Sequence, residues 1–125
     1  MTAHDTYLCW EQLEVLAETL TPTERSALLR AGRGAEWLDK HEPGWHERVD
    51  LQLFDMRVCA WCIVGQVMGS YTQGLWDLGL TSEDAPDYGF DQAAGVDPIA
   101  IAADYAALRE AWTTLILARC AGRAL

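Results

Sequence analysis

Cys59 and Cys62 form the only close cysteine pair in the chain, and His41 and His46 lie just upstream of them. Three positions apart on a helix, two thiols face roughly the same way. Asp55 is a candidate helix cap, and it would place both cysteines within two turns of a helix N-terminus, a setting that favours thiolate. Two chemistries follow. The first is a redox dithiol, although no strand precedes the pair and no thioredoxin-like alternation surrounds it. The second is a zinc site in which His41, His46, Cys59 and Cys62 supply two nitrogens and two sulfurs in tetrahedral order. The histidine spacing suits that site, but the order of the ligands is the reverse of the common zinc finger. A plainer reading makes both cysteines packing residues, because free cysteine is among the most buried residue types.

Other reactive patterns are missing. No phosphate loop or dinucleotide fingerprint occurs. His46 beside Glu47 could act as a base, yet no Ser-His-Asp arrangement is signalled. Asp84, Asp87 and Asp91 lack the spacing and central glycine of a calcium loop. A non-catalytic protein without a cofactor is therefore expected, with zinc at the cysteine pair as the alternative.

Charge points elsewhere. The 125 residues carry a net charge of −10, from 19 acids against 9 bases. That balance disfavours nucleic acid, whose phosphates need a basic patch, and it disfavours an anionic membrane surface. No Lys or Arg lies between Arg57 and Arg109, while Asp77, Glu83, Asp84, Asp87, Asp91, Asp97 and Asp104 all fall in that interval. A surface of one sign serves solubility, or it meets a basic partner or imitates DNA. The chain also holds 6 tryptophans, a residue type enriched where binding energy concentrates. Trp10 and Trp76 each adjoin an acid on a helix flank and are the candidates for a partner-facing surface. The expected partner site is Trp76, Asp77, Glu83, Asp84, Asp87 and Asp91, and the expected partner is a host or phage protein with a basic surface.

The elements that must position these residues read as helices. Residues 5–20 place Cys9, Leu13, Leu16 and Leu20 on one face. Thr21, Pro22 and Glu24 form a capping-box start for a second helix, with Leu28, Ala31, Ala35 and Leu38 on one side. Gly32 and Gly34 threaten to interrupt it, and Pro43 ends it. Residues 41–50 read as a loop with a partly buried anchor at Trp45. A third helix capped by Asp55 is expected to carry the central segment, Val58 to Leu80, with Val64, Met68, Tyr71, Leu75 and Leu78 in helical period. Cys62, Gly65 and Gly69 form a neighbouring stripe of small residues, and Gly74 is the expected dividing point. Gly79 reads as a left-handed helix stop. Residues 81–96 are an acidic connection in which Ser82, Glu83 and Asp84 could start a short helical turn and the turn at Gly89 and Asp91 inserts the Phe90 ring. Asp97 and Pro98 open a last helix with Ile101, Tyr105, Leu108, Trp112 and Leu115 in one stripe, and Gly122 ends it.

No convincing strand, hairpin dipeptide, repeat or linker appears. Residues 1–125 therefore read as a single all-α domain, an irregular bundle of about four main helices plus short ones around one core. The central segment would be the buried helix against which the others pack. No apolar run reaches the ~20 residues of a bilayer span. The N-terminus has acids and no basic region, so a secretory leader is not expected and a cytoplasmic location is.

The succession of Gly44 and Trp45, residues 50–55, the run Cys62 to Gln66 (CIVGQ), Gly69 and Tyr71, Gly74 and Leu75, Leu78 to Leu80 (LGL), Gly89 and Phe90, then Leu108 and Trp112, resembles a set of small proteins encoded by actinobacteria and their phages. The resemblance covers most of the chain from Gly44 onward and is most specific in the central segment, at the motif Cys59 to Gln66. It implies a phage or prophage accessory context and brings no catalytic or binding residue with it.

Overall fold

The computed structural model describes residues 19–122. Four α-helices and two short 3-10 turns make up its elements, and no strand occurs among the described residues. The helices are α1 (Pro22–His41), α2 (Ile63–Met68), α3 (Tyr71–Asp77) and α4 (Pro98–Cys120); the 3-10 turns are Trp45–Arg48 and Ala85–Tyr88. The helix expected over residues 5–20, with Cys9 and Trp10, lies outside the described residues but for its end, where Leu20 packs half-buried against the core.

α1 begins as its sequence dictates. The Glu24 amide donates to the Thr21 hydroxyl at 3.2 Å, and the Thr21 amide donates to the Glu24 carboxylate at 3.0 Å. These reciprocal bonds satisfy two otherwise orphaned donors and hold the Glu24 carboxyl below its ordinary pKa. Leu28, Ala31, Ala35 and Leu38 are buried on the expected face. Gly32 and Gly34 do not break the helix. Gly34 is there because a Cβ at that position would strike the Tyr88 carbonyl and crowd the Trp112 ring. The backbone of the second 3-10 turn can approach α1 only over a glycine.

α4 is capped by Asp97, whose carboxylate accepts from the Ala100 amide at 3.3 Å, with Pro98 in the first turn. Its Leu108, Trp112 and Leu115 are buried as the stripe requires, while Ile101 and Tyr105 are half-buried. α1 and α4 are the main packed pair, and they run in the same direction. Arg30 meets Asp104 at 2.5 Å in the first half of each helix, and Asp39 meets Arg119 at 2.7 Å toward their ends. A parallel pair needs a long return, and residues 42–97 supply it.

That return delivers aromatic rings to the seam. Trp45, expected as a partly buried anchor, is fully buried. Its ring lies edge-on to Trp112 at 5.6 Å, its N–H donates to Asp39 at 2.8 Å, and the Arg119 guanidinium sits 5.7 Å over its face. Phe90 is inserted as expected and stacks on Trp112 at 5.7 Å. The Trp112 N–H donates to the Gly89 carbonyl at 2.7 Å, so each buried indole has an acceptor.

The central segment departs from expectation in three ways. Asp55 does not cap a helix; its carboxylate accepts from the Arg57 amide at 2.9 Å and pairs with the Arg57 guanidinium at 3.2 Å. Both contacts lower the Asp55 pKa. Residues 51–62 are accordingly a run of turns, and the helix starts only at Ile63. Second, the break falls at Gly69, not Gly74. Gly69 takes a left-handed φ of 87°, and Ser70 follows as the cap of α3, accepting from the Gln73 amide at 3.4 Å. Gly74 lies inside α3, where it lets α3 close onto Val64 and Met68 of α2. Third, α2 is short: Ile63, Val64 and Val67 are buried, but the main packed helix pair is α1–α4, and α2 packs chiefly against α3 and the Trp45–Arg48 turn.

Gly79 stops α3 in the left-handed conformation as expected. The Leu80 amide donates to Leu75 at 2.9 Å and the Gly79 amide to Trp76 at 3.0 Å, a complete Schellman motif.

Candidate functional site

Gln66 organises the segment that holds the cysteines. Its carbonyl oxygen accepts from the Asp50 amide at 2.7 Å, and its amide nitrogen donates to Trp61 O at 2.9 Å and Asp50 O at 3.3 Å. One side chain on α2 thus clamps both ends of the turns before it. Within them, the Trp61 and Cys62 amides both donate to Val58 O at 2.9 Å. Cys59 sits exposed on this turn, whereas Cys62 is 2% exposed and is itself the cap of α2. The expectation that both thiols share a helical face is corrected: the chain around Cys59 is not helical. The reading of both as buried packing residues holds for Cys62 and fails for Cys59. Burial raises the Cys62 pKa, the reverse of the thiolate stabilisation that an Asp55 cap would have given.

The two histidines are placed elsewhere. His41 is exposed at the end of α1 with its ring 4.4 Å from Trp37. His46 is half-buried, edge-on to Trp45 at 5.9 Å, and its Nδ1 is buried without a hydrogen-bond partner among the described residues. The structure does not bring His41, His46, Cys59 and Cys62 together. Among the described residues no three His, Cys, Asp or Glu side chains are placed to hold one metal ion.

The acidic residues divide into two groups. The Asp104 carboxylate turns inward to Arg30 of α1, and the Asp91 carboxylate to Tyr105 of α4. Arg30, buried on α1, donates to the Asp104 carboxylate at 2.5 Å and to Asp91 O and Pro86 O at 3.4 Å. Asp104 also accepts from the Ala93 amide at 2.8 Å, and the Asp91 carboxylate accepts from the Tyr105 hydroxyl at 2.9 Å. Desolvation, and then the Asp91 contact, push the Tyr105 pKa up to about 12. Asp91 of the expected partner site is thus committed to an internal network. Asp84 is half-buried and its carboxylate reaches back to Thr81, accepting from both the Thr81 amide and hydroxyl at 3.0 Å.

Asp77, Glu83 and Asp87 are exposed. Asp77 accepts from Gln73 at 2.9 Å, and the Asp87 backbone carbonyl accepts from Arg33 at 3.2 Å. Among the described residues none of Asp77, Glu83, Asp84 and Asp87 enters an ion pair. Trp76, next to Asp77 in the chain, has 78% of its surface exposed, while Gly74 and Leu75 on the same helix are buried. Trp37 anchors the end of this helix through its N–H to Leu78 O at 3.0 Å.

Sequence reasoning missed the Arg30 network, although a signal exists. Arg30 lies one turn from Ala27 and Gly34 on the buried face of α1, and Asp104 lies one turn before Leu108 on the core stripe of α4. A charge in an inward-facing register needs an opposite charge from another element. It also missed Leu53, Val58 and Trp61, large apolar residues exposed on the turns before α2.

No protein family, curated protein or solved structure matches the chain. No helix among the described residues is long and apolar enough to cross a membrane.

Proposed function

We propose that the chain is a small acidic accessory protein of the phage or prophage type that acts in the cytoplasm, without catalysis, by binding a protein partner with a basic surface. The contact is made by Trp76 with Asp77, Glu83 and Asp87, and with the outer edge of Asp84. The exposure of Trp76 carries this reading. An indole left largely in water forgoes a burial that this core grants to Trp45 and Trp112, and tryptophan is the residue type that most often anchors a protein interface. Exposed carboxylates without ion partners at Asp77, Glu83 and Asp87 favour a basic partner and disfavour nucleic acid and anionic membranes. Asp91, expected at this edge from the sequence, belongs to the fold and not to the contact.

A photo-crosslinking residue tests the placement. Thr72 is exposed one turn before Trp76 on the same helix, so a benzoylphenylalanine there reports on that face without removing the indole. A discrete adduct from position 72, absent when the same residue replaces Leu117 on α4, is the expected result. Identical adducts from both positions, or none from position 72, would count against the reading.

A further inference from the structure

Cys59 and Cys62 are not used by the proposed contact, and the structure gives them unequal roles. Cys59 is exposed at the surface. Cys62 is buried, yet its sulfur lies 3.3 Å from the Cys59 carbonyl, to which the thiol donates. The turn that separates them is closed by two amides on Val58 O and clamped at Trp61 O by Gln66. Its carbonyl at Cys59 packs against Gly65 where no Cβ would fit, which fixes the turn on α2. One accessible thiol and one buried thiol are therefore held a single turn of chain apart, in a frame closed by Val58, Gln66 and Gly65.

We propose that Cys59 and Cys62 form a thiol–disulfide exchange site whose co-reactant is a small-molecule disulfide of the glutathione class, with Cys59 as the attacking thiol and Cys62 as the resolving thiol. In the first step the Cys59 thiolate attacks one sulfur of the small disulfide. A mixed disulfide forms on Cys59, the original S–S bond breaks, and one small thiolate leaves and takes up a proton. In the second step Cys62 gives up its proton and attacks the Cys59 sulfur. The Cys59–Cys62 bond forms, the mixed disulfide breaks, and the second small thiolate leaves. The two cysteines lose two electrons and two protons in all, and the small disulfide gains them. Closure replaces the Cys62 S–H donation to Cys59 O with a covalent bond across the same turn. Burial raises the Cys62 pKa, so the second step speeds up as pH rises.

The test is an equilibration of the full chain in reduced and oxidised glutathione at a series of ratios, quenched by acid and alkylated, with intact mass and peptide mapping. The wild-type chain is expected to lose two hydrogens in a bond mapped to Cys59–Cys62, reversibly on return to reduced glutathione. Cys62→Ser is expected to accumulate one glutathione on Cys59, and Cys59→Ser to take up none at Cys62. Trp61, 43% exposed between the two, is expected to change fluorescence on closure in the wild type. A wild-type chain that keeps both thiols at the most oxidising ratio overturns the proposal. So does a stable glutathione adduct on wild-type Cys59 that Cys62 never displaces, or a bond mapped to Cys120 instead. The wild-type result decides the matter even where a serine variant folds poorly.

Discussion

Arg30 and Asp104, 74 positions apart, meet at 2.5 Å with side chains only 8% and 7% exposed. This pair ties the first half of α1 to the first half of α4. It also holds the acidic connection in place, since the same guanidinium reaches Pro86 O and Asp91 O, and the Asp104 carboxylate takes the Ala93 amide. A pair of this kind adds little net stability over an apolar substitute, but removing one partner strands a buried charge.

Asp104→Ala is accordingly expected to lower the unfolding free energy by about 3–5 kcal/mol, measured by urea denaturation. The double variant Arg30→Met/Asp104→Leu removes both charges and is expected to recover part of that loss, although Ala93 then lacks its acceptor. A double variant as unstable as the sum of the two single variants would show that the pair is not coupled.

Gly34→Ala sets two known effects against each other. Alanine favours an α-helix over glycine by about 1 kcal/mol. The added Cβ, however, meets the Tyr88 carbonyl and comes within 3.0 Å of the Trp112 ring, in a core that tolerates overpacking at a cost of about 1–3 kcal/mol. The backbone contact cannot give way as a side chain can, so a net loss of thermal stability is expected. A higher melting temperature would mean that α1 and the second 3-10 turn are not packed as closely as described.

Tyr71 and Tyr105 make the chain sensitive to alkali. Burial raises the pKa of both phenols, and Tyr105 reaches about 12. The folded state therefore keeps protons that the unfolded chain releases near pH 10. The Tyr105 contribution is fully present below pH 10 and is lost as pH rises through about 12, and that of Tyr71 is lost at higher pH still. Tyr105→Phe is expected to lower stability at neutral pH, by loss of the bond to Asp91, and to flatten the fall between pH 10 and 12. Tyr71→Phe is expected to be neutral or stabilising at neutral pH, because its hydroxyl is buried without a partner among the described residues. Urea midpoints across pH 7–12 check both.

What the sequence made legible was local. The Thr21–Glu24 box, the Asp97–Pro98 start and the Gly79 stop each depend on residues within one turn of each other, and each is present. Asp55 misled because its capping role depends on which neighbour reaches it first. Arg57 takes its carboxylate, and a cysteine sulfur caps α2 in its place. Gly69 and Gly74 are both plausible breaks, and packing decides between them: Gly74 is required where α3 presses on α2, and Gly69 is free to turn left-handed. The acidic stretch was legible as composition but not as surface. Whether an aspartate faces water or Arg30 is settled by an element more than sixty positions away along the chain. The same holds for the cysteine pair, whose spacing was plain and whose unequal exposure was not.

The contact edge yields the most direct test. The partner crosslinked from position 72 can be titrated, at several salt concentrations, against the wild type, Trp76→Ala and the triple reversal Asp77→Lys/Glu83→Lys/Asp87→Lys. All four positions are exposed, so each variant should retain wild-type stability within about 0.5 kcal/mol. Trp76→Ala is expected to weaken binding at least about tenfold, and the triple reversal to weaken it further and to invert its salt dependence, since screening then relieves a repulsion. A partner that binds all three proteins equally, with the variants folded, would contradict the proposed contact.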